Sequence, residues 1–236
     1  MRAPISPSSW TTLIAAGAAV AGFFAAPRPA AAQRATHVLV VGDSQLAQTA
    51  GEVLDGLLRL TPGLEVTTRA VWGTHPGDWV TGRDLPRRRF FARDPGAAPR
   101  EGTGIRLEPL ADLLRSTDAD LVVVGLGANM VNTASRTRRA HVAALVDGIA
   151  DAGARCVWIG PPSGWARDPT RFAELYDDLG VALDGRCALV DSRSIIEYPR
   201  AWGGDGVHLE TATSVRPSGH TRVLCEAEAG RLAAGR

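Results

Sequence analysis

The chain has 236 residues, of which 45% are hydrophobic and 22% are charged, a composition typical of a single globular domain with a sizeable core. The formal net charge is +1 and every basic residue is arginine, which we attribute to GC-rich coding bias. Because the charges nearly balance, the composition argues against a nucleic-acid-binding protein.

The first 32 residues have the composition of an export signal. Arg2 supplies a basic start, residues 11–26 are uncharged and mostly apolar, and Ala30 to Ala32 offer a small-residue cleavage site. The apolar run is short for a membrane span, which needs about 20 residues. We therefore predict a signal peptide over residues 1–32 and a periplasmic or secreted mature domain, residues 33–236, without a membrane span. The alternative is an uncleaved N-terminal anchor.

Five short blocks rich in Val, Leu and Ile alternate with helical patterns along the mature chain. The predicted strands are residues 38–41, 64–71, 121–125, 156–160 and 188–191. The predicted helices are residues 45–60, 107–115, 136–152, 168–183 and 217–234, with Asp168 as N-cap of the fourth and Pro169 at its first position. The strand blocks show no polar alternation, which indicates burial on both faces and predicts a parallel sheet between two helical layers.

Residues 82–106 interrupt this alternation. They lack a clear periodicity, are rich in Arg, Pro and Gly, and carry three consecutive arginines, Arg87 to Arg89, beside two phenylalanines. We predict a long loop here. The arginine run is interpreted first as a solvated face, and the functional alternative is a rim that contacts an anionic or carbohydrate substrate.

The three cysteines do not form the dense pattern of a disulfide scaffold. Cys156 and Cys187 begin strand-like runs and are predicted to be small core residues. One disulfide could form after export, but the sequence does not show which two of Cys156, Cys187 and Cys225 it would join. No Cys or His pair has the spacing of metal ligands, so no metal site is predicted.

Four short polar pieces fall where strands end or before the last helix. Ser44 follows the first strand, Gly73 the second and Asn129 the third, while Asp205 and His208 precede the final helix. Because ligands bind at the carboxyl ends of parallel strands, these residues can converge on one edge of the sheet. Asp43 is predicted to fix the turn before the serine.

Together these residues could perform nucleophilic catalysis. Ser44 needs a base to take its proton as it attacks, and an imidazole such as His208 can accept and return a proton. Asp205 can bond the other ring nitrogen and fix the tautomer. The backbone N–H groups of Ser44 and Gly73 and the amide of Asn129 can donate to an oxyanion, each typically worth about 3–4 kcal/mol in the transition state. Each piece alone is a weak signal, and the combination in this order is far more specific.

In these residues the chain resembles the SGNH hydrolases, or GDSL esterases and lipases. Their signature Ser, Gly, Asn and His map onto Ser44, Gly73, Asn129 and His208, and Asp205 matches the third triad member. The resemblance covers essentially the whole mature chain. It implies a flavodoxin-like three-layer α/β/α sandwich with a five-stranded parallel sheet in the order 2-1-3-4-5. It also implies hydrolysis or transfer of ester-linked acyl groups without a metal or cofactor.

Three departures from the family pattern stand out. Met130 occupies a position where the family often has Asp. Gly77 is a rival to the preferred Gly73 as oxyanion donor. Residues 209–216 lengthen the loop after the predicted base, which makes His220 a rival base, although His220 has no Asp three residues before it.

The expected function is that of an exported serine esterase acting on acetyl or other short-chain esters, with esters of carbohydrate as the first expectation and short lipid-like esters as an open alternative. An O-acetyltransferase of exported glycans would use the same site, and a non-catalytic glycan-binding module is the alternative from another class. Four tryptophans flank the proposed site loops and could stack on sugar rings, although core packing is an equal alternative for each: Trp72, Trp79, Trp165 and Trp202. His75 is interpreted as a loop residue that could line the pocket.

Overall fold

The computed structural model describes residues 34–162, 168–194 and His208. The strands in this part of the chain are β1 (Thr36–Gly42), β2 (Leu64–Val71), β3 (Arg83–Arg93), β4 (Arg100–Leu107), β5 (Leu121–Gly125), β6 (Arg155–Ile159) and β7 (Ala188–Val190). The helices are α1 (Thr49–Arg59), α2 (Pro76–Thr81), α3 (Leu110–Thr117), α4 (Ser135–Asp151) and α5 (Pro169–Leu183). Short 3₁₀ turns lie at Ala128–Met130 and Ser192–Ser194.

All seven strands form one mixed sheet in the order β4-β3-β2-β1-β5-β6-β7. The pairings from β2 through β1, β5 and β6 to β7 are parallel, whereas β3 pairs antiparallel with both β2 and β4. The central strands β1 and β5 consist largely of Val and Leu that are almost fully buried. Strands with apolar side chains on both faces are buried only when other elements cover each face of the sheet.

Alternate residues of β1 contribute to two separate hydrophobic clusters. Leu39 and Val41 belong to the cluster that includes residues of α3, α4 and α5. Val38 and Val40 belong to the cluster that includes residues of α1. Because successive strand side chains point to opposite faces, α1 covers one face and α3 to α5 cover the other, which gives an α/β/α arrangement.

The prediction of a five-stranded, all-parallel sheet was incomplete, and the prediction of a long loop over residues 82–106 was wrong. These residues form the hairpin of β3 and β4, which extends the sheet beyond β2. The sequence of the hairpin does not show the alternation of apolar and polar residues that marks a half-buried strand. Most residues of the hairpin are exposed, and its register shifts between Leu85 and Arg89. Pro86 lies within this irregular stretch, where a missing N–H is tolerated.

Several predicted elements agree closely with the structure. The strand predicted over residues 64–71 has the bounds of β2. The side chain of Asp168 accepts from the Thr170 N–H at 2.9 Å and caps α5, with Pro169 at its first position. The helix predicted over residues 217–234 lies outside the described residues. None of the described helices has the length and apolarity that crossing a bilayer requires.

Cys156 and Cys187 are both buried, as predicted, and they form a disulfide. Cys156 lies in β6, and Cys187 directly precedes β7. The bond therefore links the two strands at the edge of the sheet opposite the hairpin. The sequence had left this pairing open.

Candidate active site

Ser44 lies two residues beyond the last residue of β1 and is only 5% exposed. The predicted helix over residues 45–60 starts later than expected, because α1 begins at Thr49. Between the strand and the helix, the N–H groups of Leu46 and Ala47 donate to the Asp43 carbonyl and form a single turn. Ser44 therefore lies in a tight turn rather than in the first turn of α1.

Two contacts determine the shape of this turn. The buried carboxylate of Asp43 accepts from the Gln45 N–H at 2.9 Å, which agrees with its predicted role in fixing the turn. The Leu46 carbonyl packs so closely against Gly51 that a Cβ there would lie 1.7 Å from its oxygen. Glycine at position 51 therefore allows the turn to fold back onto α1.

His208 brings a base to the serine. Its Nε2 atom lies 3.0 Å from the Ser44 Oγ, within hydrogen-bond distance. The His208 ring also stacks on Trp72, with 4.9 Å between centroids and an interplanar angle of 19°. The stacking and the hydrogen bond together fix the orientation of the imidazole, so a proton could pass directly between Ser44 and His208.

Backbone donors for an oxyanion lie at the ends of two adjacent strands. Neither the Ser44 N–H nor the Gly73 N–H has a hydrogen-bond acceptor among the described residues. Gly73 has a φ of 70°, a left-handed conformation that glycine adopts without steric cost. Both predicted donors are therefore available to an incoming group.

Asn129 follows β5 and is exposed, while its amide connects the neighbouring strand ends. The Nδ2 atom donates to the Thr74 carbonyl at 2.9 Å and makes a longer contact of 3.4 Å with the Asp43 carboxylate. One amide N–H is thus firmly held, while the other makes only a weak bond. An oxyanion could compete for this second N–H.

The two glycines that compete for the donor role occupy different surroundings. Gly73 lies between Trp72, which stacks on His208, and Thr74, which receives the Asn129 amide. Gly77 lies within α2, where a Cβ would be 3.1 Å from the imidazoles of His75 and His141. This placement favours Gly73. Asp205 and the rival base His220 lie outside the described residues.

Of the four tryptophans expected near the site, Trp72 and Trp79 lie in the described residues and have different surroundings. Trp79 is completely buried, and its Nε1 donates to the Thr74 hydroxyl at 3.2 Å. Trp79 is therefore a core residue and does not offer a stacking surface. Trp72 lies beside the site, where its ring packs against His208. Trp165 and Trp202 lie outside the described residues.

Sequence reasoning did not identify Thr74 as part of the site. Its hydroxyl donates to the Val71 carbonyl at 2.8 Å and accepts from the indole of Trp79. Its own carbonyl holds Asn129. The only signal in the sequence is its position directly after Gly73, and tertiary contacts give it this role.

The imidazole of His75 contacts two polar side chains, those of His141 and Asp78. It stacks on His141 with 5.1 Å between ring centroids, and its Nε2 lies 3.5 Å from the Asp78 carboxylate. Within the described ranges, no three His, Cys, Asp or Glu side chains cluster as metal ligands.

Comparisons with known proteins identify the fold. No protein-family model matches the chain, and no curated protein matches its sequence. Solved structures do match. TesA is 16% identical, with a TM-score of 0.55 over 76% of this chain and 91% of its own. A lipase/acylhydrolase from Enterococcus faecalis is 15% identical, with a TM-score of 0.51 over 83% of this chain and 96% of its own.

The psychrotrophic esterase EstA from Pseudoalteromonas sp. is 14% identical, with a TM-score of 0.51 over 74% of this chain and 88% of its own. The descriptions of two of these similar structures name an esterase and a lipase/acylhydrolase. The chain has the same α/β/α fold as these three proteins. On this fold, Ser44, Gly73 and Asn129 follow β1, β2 and β5, three strands that are adjacent in the sheet although β3 and β4 separate β2 from β5 in the chain.

Proposed function

We propose that this protein is an exported serine esterase that hydrolyses short acyl esters. The observation that carries the proposal is the 3.0 Å contact between the Ser44 Oγ and the His208 Nε2. It occurs at the carboxyl ends of parallel strands, where active sites of open α/β sheets lie. The similarity of the fold to esterases and acylhydrolases supports the same chemistry.

In the proposed acylation step, the Ser44 oxygen attacks the ester carbonyl carbon while His208 takes the hydroxyl proton. The N–H groups of Ser44 and Gly73 and the weakly held N–H of Asn129 stabilise the resulting oxyanion. When the tetrahedral intermediate collapses, His208 gives the proton to the leaving alcohol. Asp205, assigned by its spacing and by resemblance, orients the imidazole.

Deacylation uses the same groups in a second cycle. His208 takes a proton from water, the hydroxide attacks the acyl carbon, and the same N–H donors hold the new oxyanion. Collapse breaks the bond to the Ser44 oxygen, which recovers its proton from His208. A sugar hydroxyl in place of water would give acyl transfer, so hydrolysis and O-acetyl transfer differ only in the acceptor.

Two further observations support the finer parts of this proposal. The exposed arginines Arg88 and Arg89 beside the site favour a polar alcohol, such as a sugar, over a long apolar one. The disulfide between Cys156 and Cys187 suits an oxidising compartment. It therefore agrees with export directed by residues 1–32.

The serine mechanism can be tested with p-nitrophenyl acetate. Ser44→Ala should lower kcat/KM by at least about 10³-fold, because loss of the nucleophile leaves only binding and oxyanion stabilisation. Ser116→Ala makes the same change at an exposed position of α3 and should leave kcat/KM within about twofold. Equal turnover by the wild type and Ser44→Ala would overturn the proposal.

A fluorophosphonate probe provides an independent test of the nucleophile. The wild type and Ser116→Ala should be labelled at Ser44, and Ser44→Ala should not be labelled. Absence of labelling in the wild type, together with measurable glycan binding, would instead support the non-catalytic module.

A further inference from the structure

The hairpin of β3 and β4 places two arginines directly beside the site. The last ladder pair between β2 and β3 is Val71 with Phe90. Because the strands are antiparallel, continuing this register puts Arg89 opposite Trp72 and Arg88 opposite Gly73. The Trp72 N–H indeed donates to the Arg89 carbonyl at 2.9 Å.

Both guanidinium groups turn toward the site residues. The Cζ of Arg89 lies 5.2 Å from the ring centroid of Trp72, in the range of a cation–π contact. A guanidinium nitrogen of Arg88 lies 2.9 Å from the position that a Cβ on Gly73 would occupy. The two positive charges therefore flank the strand end that carries the proposed oxyanion donor.

These charges have no acidic partner within the described parts of the chain. Arg88 and Arg89 are exposed, and neither guanidinium forms an ion pair or hydrogen bond with a described residue. Three other arginines of the same hairpin are paired with carboxylates: Arg83 with Asp78, Arg93 with Asp55, and Arg100 with Asp94. Among the described residues, the arginines of this hairpin without a carboxylate partner are Arg87, Arg88, Arg89 and Arg106, and of these Arg88 and Arg89 contact the strand end at Trp72 and Gly73.

We infer that the substrate is an ester carrying a carboxylate-like anion near its carbonyl, and that Arg88 binds this anion. The inference rests on the proposed esterase function and names the substrate class of the same site. A guanidinium is a rigid fork of donors that suits a carboxylate, and Arg88 can engage one without breaking an ion pair to any residue that the structure describes. Arg89 adds positive potential through the charge that its cation–π contact with Trp72 places beside the site.

Two matched substrate pairs test the inference on the full-length mature protein. The anion is on the alcohol part in 3-acetoxybenzoate, whose neutral partner is methyl 3-acetoxybenzoate. It is on the acyl part in mono-4-nitrophenyl adipate, whose neutral partner is 4-nitrophenyl hexanoate. For each pair, the ratio of kcat/KM for the anionic ester to that for the neutral ester is compared among enzyme variants, so differences in intrinsic reactivity cancel.

Arg88→Gln should lower this ratio by about tenfold or more in at least one pair, because it removes a charge-assisted hydrogen bond. The pair that responds tells which side of the ester carries the anion. Arg87→Gln removes an adjacent exposed charge and should leave the ratio within about twofold. Raising the salt concentration should lower the wild-type ratio toward that of Arg88→Gln.

The possible results separate this inference from the proposed function. If Ser44-dependent hydrolysis is present but Arg88→Gln leaves both ratios unchanged, the inference is wrong and the esterase function stands. An equal loss on anionic and neutral esters also overturns it, because Arg88 would then act on every ester alike. If the wild type hydrolyses none of the four esters and Ser44 is not labelled, the proposed function itself fails.

Discussion

At the scale of single residues, Asn129 connects the ends of three strands. It follows β5, contacts Asp43 after β1 and donates to Thr74 after β2. These residues are far apart in the chain but adjacent because β1 lies between β2 and β5. The same amide can therefore align the site and stabilise an oxyanion.

Asn129→Ala should lower kcat by about 10²–10³-fold, because it removes one oxyanion donor. It should also lower the free energy of unfolding by about 1 kcal/mol through loss of the hydrogen bond to Thr74. Steady-state kinetics on p-nitrophenyl acetate and urea unfolding measure the two effects. Asn132→Ala, at an exposed position after the same strand, is the control. A kcat for Asn129→Ala within twofold of the wild type would rule out the donor role.

At the scale of elements, a buried carboxylate joins α4 to α5. Asp178 of α5 accepts from Arg138, Arg139 and Ser135 of α4, and both Asp178 and Arg138 are almost fully buried. Burial alone would raise the pKa of Asp178, but the hydrogen bonds from Ser135, Arg139 and Arg138 outweigh it and lower the pKa below its ordinary value. The folded state thus favours the ionised carboxylate.

Asp178→Asn should lower the free energy of unfolding at pH 7 by about 3 kcal/mol, because it removes the nearest counter-charge of the buried Arg138 and leaves only Glu174, at 3.8 Å. The lowered pKa means that the ionised Asp178 stabilises the fold fully above its ordinary pKa of about 3.9 and loses this effect as the pH falls through the lowered value. The variant should therefore lose less stability than the wild type on acidification.

Urea unfolding at neutral and strongly acidic pH measures this difference. Asp177→Asn, at the neighbouring exposed position, should behave like the wild type. If Asp178→Asn and the wild type lost equal stability on acidification, the ion pair would not have the assigned effect.

At the scale of the whole molecule, the disulfide and the hairpin lie at opposite edges of the sheet. The bond between Cys156 and Cys187 closes a sequence separation of 31 residues. Cross-linking a loop of this length removes conformational freedom mainly from the unfolded chain. The disulfide therefore stabilises the folded state as a whole relative to the unfolded chain.

Replacing both Cys156 and Cys187 with Ala should lower the free energy of unfolding by about 3–4 kcal/mol. Thiol titration in denaturant should find one free thiol, that of Cys225, before reduction and three after it. Cys225→Ala should show no free thiol before reduction and two after it. Three free thiols in the unreduced wild type would contradict the pairing.

The sequence by itself determined the central part of the fold. The apolar blocks without polar alternation predicted buried parallel strands, and the bounds of β2 and the Asp168 cap follow from local signals. The order of Ser44, Gly73, Asn129 and His208 identified the candidate site, because each follows a strand or precedes the last predicted helix. Local pattern and chain order were sufficient for these features.

Only the tertiary structure decided the hairpin, the disulfide and the surroundings of the site. Arg, Pro and Gly in residues 82–106 carry little strand propensity, and the hairpin forms because β2 offers an edge with which β3 can pair. The partner of each cysteine depends on which strands become neighbours, which no local pattern records. The same holds for Arg88 and Arg89: the sequence showed a run of charges, and the antiparallel register placed them beside Gly73 and Trp72.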